Sequence, residues 1–129
     1  MADDGRAHRR TVLVVDDEAS LRLLCRVNLE LEGYRVLEAE SVSSALRVLD
    51  EEEVDVVLLD MHIGTGSGLD VLDALEAREL AARVVLLSGT SDLPDELRAR
   101  VDGVLGKPFT LDELAQAVAE DASGRLRDA

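Results

Sequence analysis

The chain has no tryptophan, one phenylalanine, one tyrosine, two prolines and one cysteine, Cys25. A lone cysteine excludes an internal disulfide. With so few aromatic rings, the core has to be assembled from Leu, Val and Ala, a mix common to parallel sheets covered by helices. No apolar run approaches the roughly 18 residues that a membrane span requires. The opening MADDGRAHRR lacks the apolar stretch of a signal peptide. A reducing cytoplasm is the expected location. Positive charge is scarce as well, with 14 Lys and Arg against 28 Asp and Glu and a formal net charge of −14. Such a surface repels phosphate backbones and anionic membranes, so neither nucleic acid nor membrane is an expected partner. Lysine is scarcest of all. Every basic position but one is arginine, and the exception is Lys107, inside LGKPF.

At 129 residues the chain has the size of one domain, large enough to bury about two thirds of its unfolded surface. Residues 1–10 are polar and aperiodic and read as a loose arm. Residues 123–129 read as a tail, which leaves 11–122 as the domain. Within it, short apolar runs alternate with amphipathic stretches. The runs are Thr11–Asp16, Tyr34–Glu38, Val54–Asp60, Arg83–Ser88 and Val101–Leu105. VLVV and VVLL are continuous and rich in β-branched residues, which suits strands buried on both faces of a parallel sheet.

The intervening segments have helical spacing. Leu21, Leu24 and Leu31 mark the first helix, which Gly33 closes. Val42, Ala45, Leu46 and Leu49 form one face behind a Ser41 N-cap. Leu69, Leu72 and Leu75 mark the third helix. Thr110-Leu111-Asp112-Glu113 is a capping-box pattern that opens the fifth, with Leu111, Leu114, Ala115 and Val118 on one face. The fourth helix is short, confined to Pro94–Arg100, with Pro94 suited to its first turn. Five strands alternating with five helices predict a (βα)5 α/β fold with right-handed crossovers and a doubly wound parallel sheet.

Ligands of such sheets bind beyond the carboxyl ends of the strands, where strand order reverses. Asp16-Asp17-Glu18 follows the first strand and Asp60 the third; Ser88 closes the fourth, and Lys107-Pro108 follows the fifth. If the order is 2-1-3-4-5, strands one and three are neighbours and Asp16, Asp17 and Asp60 converge. Each piece alone reads as ordinary turn and helix-start chemistry. Together they do not. Three carboxylates at one sheet edge would repel each other by several kcal/mol unless a cation sits among them. A few hard oxygen ligands with room for water describe a Mg²⁺ site.

With those residues in place, the chain resembles the receiver domain of two-component response regulators, from about Thr11 to Ala122. The segments that carry the likeness are VLVVDDE, LELEGYRVLEAESVSSAL, VDVVLLDMHIGTGSGLDVL, VVLLSG and LGKPF. The resemblance implies the flavodoxin-like sheet order 2-1-3-4-5 and a signalling switch rather than an enzyme. It implies Asp60 as phosphoryl acceptor, Mg²⁺ held by Asp16, Asp17, Asp60 and the backbone carbonyl of His62, Ser88 as the switch hydroxyl, and Lys107 as the phosphoryl-contacting cation. A cis Lys107–Pro108 bond belongs to the same pattern. The implied partners are a histidine kinase or histidine phosphotransfer protein and a downstream protein, with a homodimer left open.

The chemistry explains the lone lysine. A compact ammonium on a slim stem can meet one oxygen between two loops, whereas a planar guanidinium is wider and favours a bidentate partner. Other features depart from the family pattern. Val104 stands where receivers carry an aromatic residue, Gly64 stands where they have proline, and the Ser88–Lys107 segment is about three residues short. GTGSG at 64–68 reads as a flexible loop after Asp60, with Ser67 capping the third helix, and Cys25 reads as packing. The His62 side chain reads as a loop histidine or as a group beside the phosphoryl site.

Three other readings share the residue types or the fold. A haloacid-dehalogenase-type phosphatase needs Asp-x-Asp after its first strand and a cap segment; a flavodoxin-like electron carrier needs a hydroxyl-rich phosphate loop and aromatics around the flavin. A non-phosphorylated pseudo-receiver, a pure interaction module, needs neither. The chain also reads either as a stand-alone receiver, which its Met1 and acidic arm favour, or as the receiver portion of a larger transcription regulator or hybrid kinase.

Overall fold

The computed structural model describes residues 9–89 and 93–128, with side chains as far as 119. The chain builds β1 (Thr11–Val15), α1 (Ala19–Leu31), β2 (Arg35–Ala39), α2 (Val42–Glu51) and β3 (Val56–Asp60). A two-residue hairpin, β4 (His62–Ile63) and β5 (Gly66–Ser67), leads into α3 (Gly68–Ala77). Then come β6 (Arg83–Ser88), α4 (Asp95–Arg98), β7 (Gly103–Gly106) and α5 (Leu111–Asp128). The five main strands pair in parallel in the order β2-β1-β3-β6-β7, which is the 2-1-3-4-5 arrangement once the hairpin is set aside.

Alternation along the strands divides the core in two. Leu13, Val15, Val57, Leu59, Val84 and Leu86 face α2, α3 and α4. Val12, Val14, Val56, Leu58, Val85 and Leu87 face α1 and α5. Both faces are covered, which is why β1 and β3 read as unbroken apolar runs. Cys25 is buried in the second cluster as a packing residue. Burial also pushes its thiol pKa up to about 11, so the thiolate is disfavoured.

Helix ends follow the cap chemistry. Ser41 and Ser44 exchange side chain–backbone bonds of 3.1 Å at the start of α2. Thr110 Oγ1 accepts from the Glu113 N–H at 3.1 Å while Glu113 Oε1 accepts from the Thr110 N–H at 2.8 Å. Gly33, at φ +98°, closes α1. α4 is shorter than the Pro94–Arg100 expectation, with Pro94 at the cap position rather than inside the first turn. Its far end is held to α3 by Arg100, whose guanidinium forks onto Asp73 and Glu76. α5 is helical past Ala122 to Asp128. Residues 1–8 of the expected arm lie outside the described residues. Among the described residues no helix is long and apolar enough to cross a membrane.

The face of α1 differs from expectation. Cys25 and Leu29 are buried, whereas Leu24 is 42% and Leu31 81% exposed. The helix carries two apolar arcs, and leucine spacing alone does not choose between them. In the observed rotation Arg22 flanks the Cys25–Leu29 arc and reaches over the ends of β1 and β2, where its Nη1 donates to the Asp16 carbonyl and its Nε to Glu38. In α3, similarly, Val71 is buried and Leu69 is exposed.

Candidate functional site

The sheet brings its chemistry to one edge. β1 runs straight into Asp16, whose N–H still pairs with the Ala39 carbonyl at 3.1 Å, so this carboxylate leaves the sheet fully buried. Asp60 is the last residue of β3, beside β1, and Asp17 begins the turn into α1. One carboxylate oxygen from each of the three lies within 4.8 Å of the others. At that spacing each pair of negative charges costs about 3.5 kcal/mol or more at an effective dielectric of about 20.

Lys107 answers part of that charge. Its Nζ lies 3.0 Å from Asp16 Oδ2 and 3.5 Å from Asp60 Oδ2. It is carried there by the turn after β7, where the Lys107 N–H donates to the Ser88 carbonyl at 2.7 Å, and the Lys107–Pro108 bond is cis. Burial pulls the Lys107 pKa down, but the bond to Asp16 and the charges of Asp16 and Asp60 outweigh it, so the ammonium sits above its ordinary range. Burial pushes the Asp16 carboxyl up; the Glu18 N–H and Lys107 oppose that, Asp60 adds to it, and the net direction is upward.

Ser88 ends β6, buried, at a register one step beyond the Asp60–Leu87 pair, so it occupies the same edge as Asp60. Asp60, Ser88, His62, Leu69 and Leu97 line a groove of about 570 Å³ beside the site. His62 is exposed, and its N–H points to Asp60 Oδ1 at 3.3 Å. All six residues singled out in the sequence are thus at one end of the sheet.

The donor set fits Mg²⁺. It is all oxygen and carries more negative charge than one ammonium can offset, and Asp17 is open to solvent on one side. Asp16, Asp17 and Asp60 could hold such an ion.

Two features of the site were not anticipated. The loop after Asp60 is a closed hairpin rather than a loose segment: His62–Ile63 pair antiparallel with Gly66–Ser67, and the Gly64 N–H donates to Asp17 Oδ2 at 2.9 Å. Ser67 Oγ does cap α3, accepting from the Leu69 N–H at 3.0 Å. Gly68 packs so closely that a Cβ there would lie 2.5 Å from the Asp60 carbonyl oxygen. The glycines in GTGSG hinted at close approach; their number obscured which one made it.

A family model described as the response regulator receiver domain matches residues 12–119. The transcriptional regulatory protein KdpE of Mycobacterium tuberculosis is 40% identical over 105 residues, covering 79% of this chain and 46% of that protein. The chain therefore spans about half the length of that relative. Sporulation initiation phosphotransferase F of Bacillus subtilis is 31% identical over 110 residues, covering 83% of this chain and 89% of its own length. Among solved structures, the response regulator TrrA from Thermotoga maritima, in complex with Mg²⁺–BeF, superposes with a TM-score of 0.78 at 32% identity, covering 86% of this chain and 97% of that one.

Proposed function

The chain belongs to the response regulator receiver family, and from that premise we propose that it accepts a phosphoryl group from a phosphohistidine onto Asp60 in a Mg²⁺-dependent reaction. The observation that carries the proposal is the convergence of three carboxylates and the lone lysine ammonium at the ends of three strands.

Asp16, Asp17, Asp60 and the His62 carbonyl would hold the Mg²⁺. When bound, the ion supplies positive charge for the phosphoryl oxygens. Asp60 is the nucleophile. Its carboxylate attacks phosphorus in line, the P–O bond forms as the P–N bond breaks, and the electron pair returns to the imidazole. The His62 N–H and Lys107 each contact one Asp60 oxygen, which limits rotation of the carboxylate before attack. Three carboxylates, a divalent ion and one ammonium are formally neutral. After transfer Asp60 carries about two negative charges in place of one. The surplus draws the Lys107 ammonium and the Ser88 hydroxyl towards the phosphoryl oxygens, and that rearrangement is the signal. The donor is a histidine kinase or phosphotransfer protein in the cytoplasm, and the output is a downstream protein partner. Val104, 37% exposed on β7, takes the place of an aromatic reporter, so the output depends on the Ser88 and Lys107 loops themselves.

Incubation with Mg²⁺ and a small acyl phosphate, followed by intact mass measurement, tests this. The expected result is a hydroxylamine-labile gain of one phosphoryl group, absent in Asp60→Asn. No gain in the wild type would leave the chain as an unphosphorylated interaction module.

A further inference from the structure

Arg22 lies one turn into α1, and its side chain is 13% exposed despite the charge. Its Nη1 donates to the Asp16 carbonyl at 2.7 Å, and its Nε donates to Glu38 Oε1 at 3.0 Å. Glu38 is held from its other oxygen by Arg26 at 3.0 Å. The guanidinium therefore cannot swing freely; it is fixed from β2 and presses on one carbonyl.

That carbonyl belongs to the peptide unit joining Asp16 to Asp17. A peptide unit is planar, so fixing its oxygen fixes the plane and the direction in which the chain leaves for Asp17. The same Asp16 is pinned elsewhere. Its N–H pairs with Ala39. Its Oδ1 accepts from the Glu18 N–H at 2.9 Å and its Oδ2 from Lys107. Each of these contacts lies before or after the Asp16–Asp17 peptide, or on the side chain. Among the described residues, Arg22 alone hydrogen-bonds the peptide itself.

We propose that Arg22 is a positioning residue for the acidic cluster, fixing the peptide between Asp16 and Asp17 so that both carboxylates face one cation. The inference rests on the reading above that these two residues hold Mg²⁺. Arg22 touches neither the cation nor a phosphoryl group. It acts through a backbone carbonyl, as the outer partners of metal ligands do.

Charge and position predict opposite signs. Removing a cation near three carboxylates makes the corner more negative, so on charge alone Mg²⁺ would bind more tightly. Loss of positioning makes it bind more weakly. Arg22→Met keeps most of the stem and removes the donors. Titration calorimetry with Mg²⁺ should show binding weakened by about tenfold or more, the usual size of such outer-partner effects. Arg22→Lys keeps the charge but cannot serve Asp16 and Glu38 with one fork, and should show a smaller loss in the same direction. In metal-free protein, the Glu18 amide should exchange faster in Arg22→Met while Val57–Leu59 in β3 keep wild-type protection. Equal or tighter Mg²⁺ binding by Arg22→Met overturns the proposal, as does wild-type affinity in Arg22→Lys if the Met variant does not fold. A wild type that binds no Mg²⁺ overturns the metal reading and this inference together, whereas normal wild-type binding with unchanged variants overturns the inference alone.

Discussion

Lys107 carries its ammonium closer to Asp16 than to Asp60, 3.0 Å against 3.5 Å. The residue that holds the cation at rest is therefore not the proposed acceptor. Phosphorylation of Asp60 would reverse that preference, because a group with about two charges competes with the single charge of Asp16.

Lys107→Arg tests whether this exchange needs the shape of the ammonium. The formal charge is unchanged. A guanidinium at this position can engage Asp16 and Asp60 together as a flat fork, and it would give up two charge-assisted bonds to meet one phosphoryl oxygen. The expected outcome is phosphoryl uptake near wild type with a reduced change in amide exchange around Ser88 and Lys107. A full wild-type response in the arginine variant would reduce the role of position 107 to charge alone.

Asp17→Asn isolates the exposed ligand. Asparagine can still accept the Gly64 N–H, now bonded to Asp17 Oδ2 at 2.9 Å, so the hairpin keeps its tether while one charge is lost. Wild-type protein at a Mg²⁺ concentration a hundredfold above its Kd should gain about 2.7 kcal/mol of stability. The variant should show little rise in Tm at the same concentration, with phosphoryl uptake slowed. Equal rises in both proteins would remove Asp17 from the ligand set.

Burial of Asp16 predicts a pH dependence for the metal-free protein. Burial first, and Asp60 as well, hold its folded pKa above the ordinary 3.8. Between the two values the folded state binds more protons than the unfolded one, so stability falls as pH rises through that interval. Neutral pH carries the whole cost. Asp16→Asn should therefore have a higher Tm than wild type at pH 7 without metal, and the gap should narrow towards pH 4. A gap that widens on acidification would contradict the burial argument.

Strand ends were the most legible part of the molecule. Continuous runs such as TVLVV needed no partner to be read, because burial on both faces removes the polar half of the pattern. Asp16, Asp60, Ser88 and Lys107 then fell at one edge by topology alone. The face of α1 was less legible for a definite reason. Leu23, Leu24, Val27 and Leu31 make an apolar arc as convincing as the buried one. In the observed rotation Arg22 reaches the Asp16 carbonyl, and a carbonyl acceptor leaves no mark in sequence. The hairpin after Asp60 was hidden similarly, since its register depends on two residues a side and on the Asp17–Gly64 bond from a distant element.

Gly68 is where that hidden packing bears most directly on the acceptor. A Cβ there would lie 2.5 Å from the Asp60 carbonyl oxygen and 3.1 Å from the Met61 Cα, both backbone atoms that cannot rotate away. The Gly68 N–H also donates to the Met61 carbonyl at 2.9 Å, tying the first turn of α3 to the residue after Asp60. Gly68→Ala should therefore push α3 and the end of β3 apart, at a cost of about 1–3 kcal/mol, and slow phosphoryl uptake because Asp60 moves with its backbone. Gly64→Ala makes the comparison sharper. Gly64 sits at φ +60° with no atom within 4 Å of a new Cβ, so its substitution costs only the left-handed conformation, about 1–2 kcal/mol, without displacing Asp60. Thermal unfolding should register both changes, while uptake from a small acyl phosphate should fall further in Gly68→Ala. If both variants take up phosphoryl groups at one rate, the close approach of α3 to Asp60 does not govern the acceptor.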